Sequence, residues 1–93
     1  MNEVYKRILD DSNYNDSLYL EKCLPPYLEN DIIALKEGIK NNVKYIDCLI
    51  NEVQGSVNSA WVDGRITEEQ CDHIYRRYIR MEEWKWLILL IVR

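Results

Sequence analysis

Few side chains of this sequence carry reactive groups, and their spacing is the place to begin. His73 is the only histidine, and the thiols are Cys23, Cys48 and Cys71. Cys71 and His73 lie two residues apart, which on a helix aims them at different faces. With no C-x-x-C or H-x3-H pair, the expectation is no metal and no cofactor. Glu69, four residues before His73, can orient its ring, so His73 reads as a solvated salt-bridge partner. A nucleophilic site needs an activated Ser or Cys, and neither a glycine-rich phosphate loop nor a nucleophile elbow is present. The expected class is therefore not an enzyme, with no catalytic residues.

Asp63-Gly64-Arg65-Ile66 resembles the centre of a calcium loop, with Gly at the turn. Placing Gly64 at loop position 6 puts Ser59 at 1, Trp61 at 3 and Gln70 at 12, where carboxylates are required. Calcium is not expected.

Arg76, Arg77 and Arg80, interleaved with Tyr75 and Tyr78, form a row that can face a nucleic-acid groove. Asp72, Glu82 and Glu83 share their helix, and the net charge of the chain is −4. A mixed solvated face is the preferred reading, and nucleic acid is not an expected partner. A small DNA-binding regulator built on these arginines stands as one alternative.

The opposite sign dominates the start of the chain. Residues 1–31 hold seven acids against three bases, with Tyr14, Tyr19 and Tyr27 among them. Tyrosine suits interfaces because one end is apolar and the other hydrogen-bonds. Tyr14, Asp16, Tyr19, Tyr27 and Glu29 form the expected edge for a protein partner of unspecified identity. The favoured function is a non-catalytic protein-binding module that self-associates and regulates a larger partner. Another alternative is an acidic inhibitor of a nucleic-acid enzyme, of the anti-defence type. Residue usage points to a low-GC bacterium, or to a phage or mobile element living in one: Ile, Asn, Tyr and Lys abound, while Ala, Gly and Pro are scarce.

These groups must be positioned by helices. Short helices are expected over 2–10 and 17–23, before Leu24-Pro25-Pro26 forces extended backbone. Apolar residues then recur at Ile32, Leu35, Ile39, Val43, Ile46, Ile50, Val53, Val57 and Ala60, in steps of three and four. That pattern predicts one long helix over 31–62, about 48 Å at 1.5 Å per residue, with Gly55-Ser56 as its kink or point of close approach. Gly64 ends it in the left-handed conformation. Thr67 and Gln70 form a capping box, with Ile66 and Cys71 as a hydrophobic staple, opening a helix over 68–92.

The fold class is therefore all-α: one domain over 1–93, a small helical bundle with a long central helix and an antiparallel C-terminal helix hairpin. So long a helix predicts a homodimer, with Ile39, Ile46, Ile50 and Val53 in a shared seam. Trp84, Trp86, Leu87 and Leu90, in an apolar stretch reaching Val92, would join it. The protein's own core is the other cover for that stretch, and a membrane, which would want a basic polar face that Lys85 and Arg93 alone do not supply, is not an expected partner. Its longest apolar run, Leu87 to Val92, is too short to span a bilayer. No basic segment leading into an apolar one opens the chain, so the expected location is cytoplasmic, with reduced thiols.

Overall fold

A computed structural model describes residues 3–80. Its elements are α1 (Glu3–Leu9), a 3-10 helical stretch (Asp11–Glu21), α2 (Pro26–Lys40), α3 (Ile46–Val62), α4 (Glu68–Ile74) and a π-helical turn (Tyr75–Ile79). The protein is an all-α small helical bundle, with no strand among the described residues.

The single helix expected over 31–62 is two helices. Pro26 starts α2 five residues earlier than expected, as a ring with fixed φ and no N–H can at a first turn. α2 ends at Asn41-Asn42, where Asn42 takes φ 54°; asparagine tolerates this left-handed region better than most residues. The Val43 N–H donates to the Gly38 carbonyl at 3.1 Å and the Asn42 N–H to that of Ile39 at 3.1 Å, closing a Schellman motif. After this turn α3 folds back on α2, so a five-residue connection converts the expected rod into an antiparallel hairpin. The Ser56 hydroxyl bonds the Asp31 carboxylate across the pair.

Gly38 is what allows the two helices to meet closely. A Cβ built there would lie 2.4 Å from Leu49 Cδ1 and 3.2 Å from Val43 Cγ2. Gly55, the expected kink, lies within an unbroken α3, and nothing comes within 4 Å of where its Cβ would be. Gly55→Ala should therefore stabilise the protein by about 0.5–1 kcal/mol through helix propensity alone. Urea titration checks this, and an unchanged or lower midpoint would mean that the site is not open.

The apolar stripe becomes the chain's own core. Ile32, Leu35, Ile39, Ile46, Val53, Val57 and Ala60 are buried with Ile8, Leu24, Leu28, Ile66, Cys71, Ile74, Tyr75 and Tyr78. Ile39, Ile46 and Val53, expected to face a second subunit, are thus covered within one chain, with Ile50 packed at the edge. The dimer seam is corrected accordingly: the hairpin does the covering assigned to a partner.

The end of α3 matches expectation. Gly64 has φ 70°, and the Arg65 N–H reaches the Ala60 carbonyl at 2.8 Å. The capping box is also formed: Gln70 N–H donates to Thr67 Oγ1 at 3.1 Å and Thr67 N–H to Gln70 Oε1 at 2.9 Å. Ile66 and Cys71 are both buried, as a staple requires. The helix expected over 68–92 departs from α geometry at Tyr75, and Arg80 turns left-handed at φ 64°. Trp84, Trp86, Leu87 and Leu90 lie outside the described residues.

Of the segment expected as a helix over 17–23, residues 17–21 instead belong to the 3-10 stretch, and Lys22 is extended. Asp10 caps the stretch, accepting from the Ser12 N–H at 3.1 Å and the Ser12 hydroxyl at 2.5 Å. Tyr14 interrupts it with non-helical φ −131°. Short Asp, Asn and Ser side chains compete for backbone groups here, and no residue of the stretch is fully buried, so little favours a regular α-helix.

Candidate functional site

The titratable groups converge where the 3-10 stretch meets α4 and the π turn. Glu21, the last residue of the stretch, is the hub. Its Oε2 accepts from His73 Nε2 at 2.7 Å and from Arg77 Nη1 at 2.5 Å. Its Oε1 accepts from the Tyr78 hydroxyl at 2.5 Å, and Lys36 Nζ stands 3.8 Å away. Burial pushes the Glu21 carboxyl up, but bonds from His73 and Tyr78 and the charges of Arg77 and Lys36 outweigh it, lowering it to about 2.

Arg77 is the counterpart of this hub. Only 1% exposed, it donates from Nε and Nη2 to the Ile8 carbonyl, at 3.1 and 2.9 Å, and also pairs with Asp11. Its guanidinium lies over the rings of both Tyr14 and Tyr78, 4.8 and 5.0 Å from their centroids. The guanidinium thereby fastens α1, the 3-10 stretch and the π turn together. Among the described residues no buried side-chain nitrogen or oxygen lacks a hydrogen-bond partner.

This geometry corrects several readings of single residues. Arg77 is buried and not on an outward row; Arg76 and Arg80 are exposed, and Arg76 pairs with Asp72 at 2.9 Å as helical spacing predicts. His73 is buried and its partner is Glu21, not Glu69. Cys71 fits its reading as a small hydrophobe: burial first, then the charges of Asp72 and Glu68, push its thiol up to about 12. Burial likewise raises Tyr75 to about 12, against side-chain hydrogen bonds with Gln54 and Asn58, the latter donated by the Tyr75 hydroxyl, that act the other way. Among the described residues no group of three His, Cys, Asp or Glu side chains is placed to hold a metal.

The expected partner edge divides. Tyr14 is half-buried beneath Arg77 and meets His73 edge-on, with centroids 5.9 Å apart. Tyr19 is 62% and Tyr27 38% exposed, and Asp16 and Glu29 are exposed as well. Glu21 and Gln70 are residues whose tertiary roles sequence reasoning missed. Gln70 Nε2 donates to the carbonyls of Leu20 and Lys22, each at 3.2 Å, beyond its capping role. Gln70→Glu keeps the box acceptor but aims a carboxylate at two carbonyls. It should lower stability by about 1–2 kcal/mol in chemical denaturation, and a loss no larger than a few tenths would contradict the tie.

The hub also sets an acid limit. A carboxyl held at about 2 in the folded chain and near its ordinary 4.5 when unfolded stabilises the fold fully above pH 4.5. That contribution is lost as pH falls from 4.5 towards 2. It amounts to about 2 kcal/mol once partial solvent access is allowed for. Glu21→Gln should be less stable at pH 7 and should lose less on acidification to pH 3. Parallel stability curves for the two proteins across that window would exclude Glu21 as the source.

Neither family models, nor curated proteins, nor solved structures give a match to this chain. No helix among the described residues is long and apolar enough to cross a membrane.

Proposed function

We propose that the protein is a non-catalytic protein-binding module that regulates a larger partner through its acidic, tyrosine-bearing edge. The observation that carries this reading is a contrast in exposure. Tyr19 and Tyr27 present large amphipathic rings to solvent, and Asp16 and Glu29 are exposed as well. His73, Cys71, Tyr78 and Arg77 are instead buried in core packing and ion pairs. Rigid tyrosines flanked by carboxylates suit a partner with a basic rim and apolar pockets.

Self-association, the second element of the proposal, rests on Trp84, Trp86, Leu87 and Leu90, since the α2–α3 stripe is internal. An acidic inhibitor of a nucleic-acid enzyme, from a phage or mobile element, is the special case in which the partner's groove is cationic. A DNA-binding regulator would retain only Arg76 and Arg80 of its three arginines.

The test compares partners captured by the wild-type chain with those captured by the double variant Tyr19→Ser, Tyr27→Ser. Both side chains are exposed, so the helical circular dichroism should persist while specific capture falls about tenfold or more. Equal capture by both proteins would refute the edge. Light scattering at micromolar concentration tests the second element, and a mass near 11 kDa would remove it.

A further inference from the structure

Four of the six arginines in this chain of net charge −4 surround one cavity. It has a volume of about 220 Å³ and is lined by Arg7, Ile8, Tyr14, Arg76, Arg77 and Arg80. Arg7 comes from α1, Arg76 and Arg77 from the π turn, and Arg80 from the left-handed residue that ends it. Arg77 is held by Ile8, Asp11 and Glu21 and lies over the rings of Tyr14 and Tyr78, so its charge forms a fixed wall. Asp11 and Glu21 offset the charge of Arg77 and Asp72 that of Arg76, but among the described residues no acid lines this cavity, so the space itself suits an anion. Arginine forks suit a group with several oxygens better than a single point acceptor.

A second cavity, of about 280 Å³, shares Tyr14 and Arg76 with the first and adds Leu20, Ser17 and His73. Glu69 and Asp72 also line it. Their carboxylates disfavour an anion there, whereas Leu20 and the Tyr14 ring favour an uncharged body. The two cavities thus define an orientation: anionic end among the arginines, apolar end beside Leu20.

We propose that this pair of cavities is a binding site for a phosphate monoester with a compact apolar or aromatic body. The site shares Tyr14 with the expected partner edge but uses neither Tyr19 nor Tyr27, and it does not depend on the partner proposed for that edge.

The test titrates the full, isotope-labelled chain with phenyl phosphate, inorganic phosphate and sodium chloride at matched ionic strength, following amide shifts. Both phosphate compounds should shift Arg7, Tyr14, Arg76 and Arg80, and phenyl phosphate alone should also shift Ser17 and Leu20. Phenyl phosphate should bind about tenfold more tightly than inorganic phosphate. The same shifts with chloride, or shifts mapping elsewhere, would overturn the site. Equal affinity for the two phosphates would overturn the apolar half. The double variant Arg7→Gln, Arg80→Gln should weaken phenyl phosphate binding about tenfold or more. Unchanged affinity would overturn the proposal, and should that variant fail to fold, the wild-type shift map decides.

Discussion

Arg77→Met should destabilise the protein by about 3–5 kcal/mol, the range for removing one partner of a buried ion pair. The cause is what the substitution leaves behind. Glu21 would keep His73, Tyr78 and Lys36 but lose its 2.5 Å guanidinium contact. The Ile8 carbonyl would lose both of its Arg77 donors, in a place where Ile8 itself is buried. Single domains are stable by only about 5–15 kcal/mol, so such a loss brings this chain close to unfolding. Methionine fills much of the volume over Tyr14 and Tyr78, which separates the lost hydrogen bonds from a packing void. Arg77→Lys, retaining charge without the fork, should fall between wild type and Arg77→Met. Thermal and urea unfolding check the order. A methionine variant within 1 kcal/mol of wild type would show that the guanidinium is not a fastener.

Gly38→Val should cost about 2–3 kcal/mol, through overpacking at the α2–α3 contact and the lower helix propensity of a branched residue. Even the first added carbon meets Leu49 Cδ1 at 2.4 Å, and Val43 and Ile46 close the remaining space. Leu49 is half-buried and can yield somewhat, but two further methyl groups exceed what one side chain releases. The comparison with Gly55→Ala makes the argument sharp: two glycines in neighbouring helices, with opposite expected signs. Denaturant midpoints of the two variants measured side by side decide it. If Gly38→Val were neutral, the helices would not be as close as the hairpin requires.

Both predictions arise from features that local pattern reading handles unequally. The three-and-four spacing picked nine positions from Ile32 to Ala60, of which seven are buried and Val43 and Ile50 pack at the edge, because periodicity records which face avoids water. It could not show that the stripe is interrupted, since Ile39, Val43 and Ile46 keep the same steps across the turn. Asn41-Asn42 was the available signal, a pair able to end a helix without glycine. Of the two glycines, Gly55 drew attention beside Ser56, yet Gly38 is the one that matters. Which glycine meets a neighbour depends on where the chain folds back.

The candidate site was less legible than the fold. Helical spacing finds partners three or four residues away, and it found Arg76 with Asp72. Glu21 lies 52 residues from His73 and 56 from Arg77, beyond any local rule. Arg77 therefore read as one more cation on an outward row. Its burial follows from the wide face that α4 and the π turn press into the core, where Ile74, Tyr75, Arg77 and Tyr78 are all covered.

By itself the sequence determined the all-α class, the capping box at Thr67 and Gln70, the stop at Gly64 and the identity of most core positions. Each depends on backbone chemistry or on periodicity within a few residues. Tertiary structure alone decided the α2–α3 hairpin, the Glu21–Arg77 hub and the gathering of four arginines around one cavity. These depend on contacts between segments far apart in the chain, and such contacts exist only once the turns have set where each helix lies.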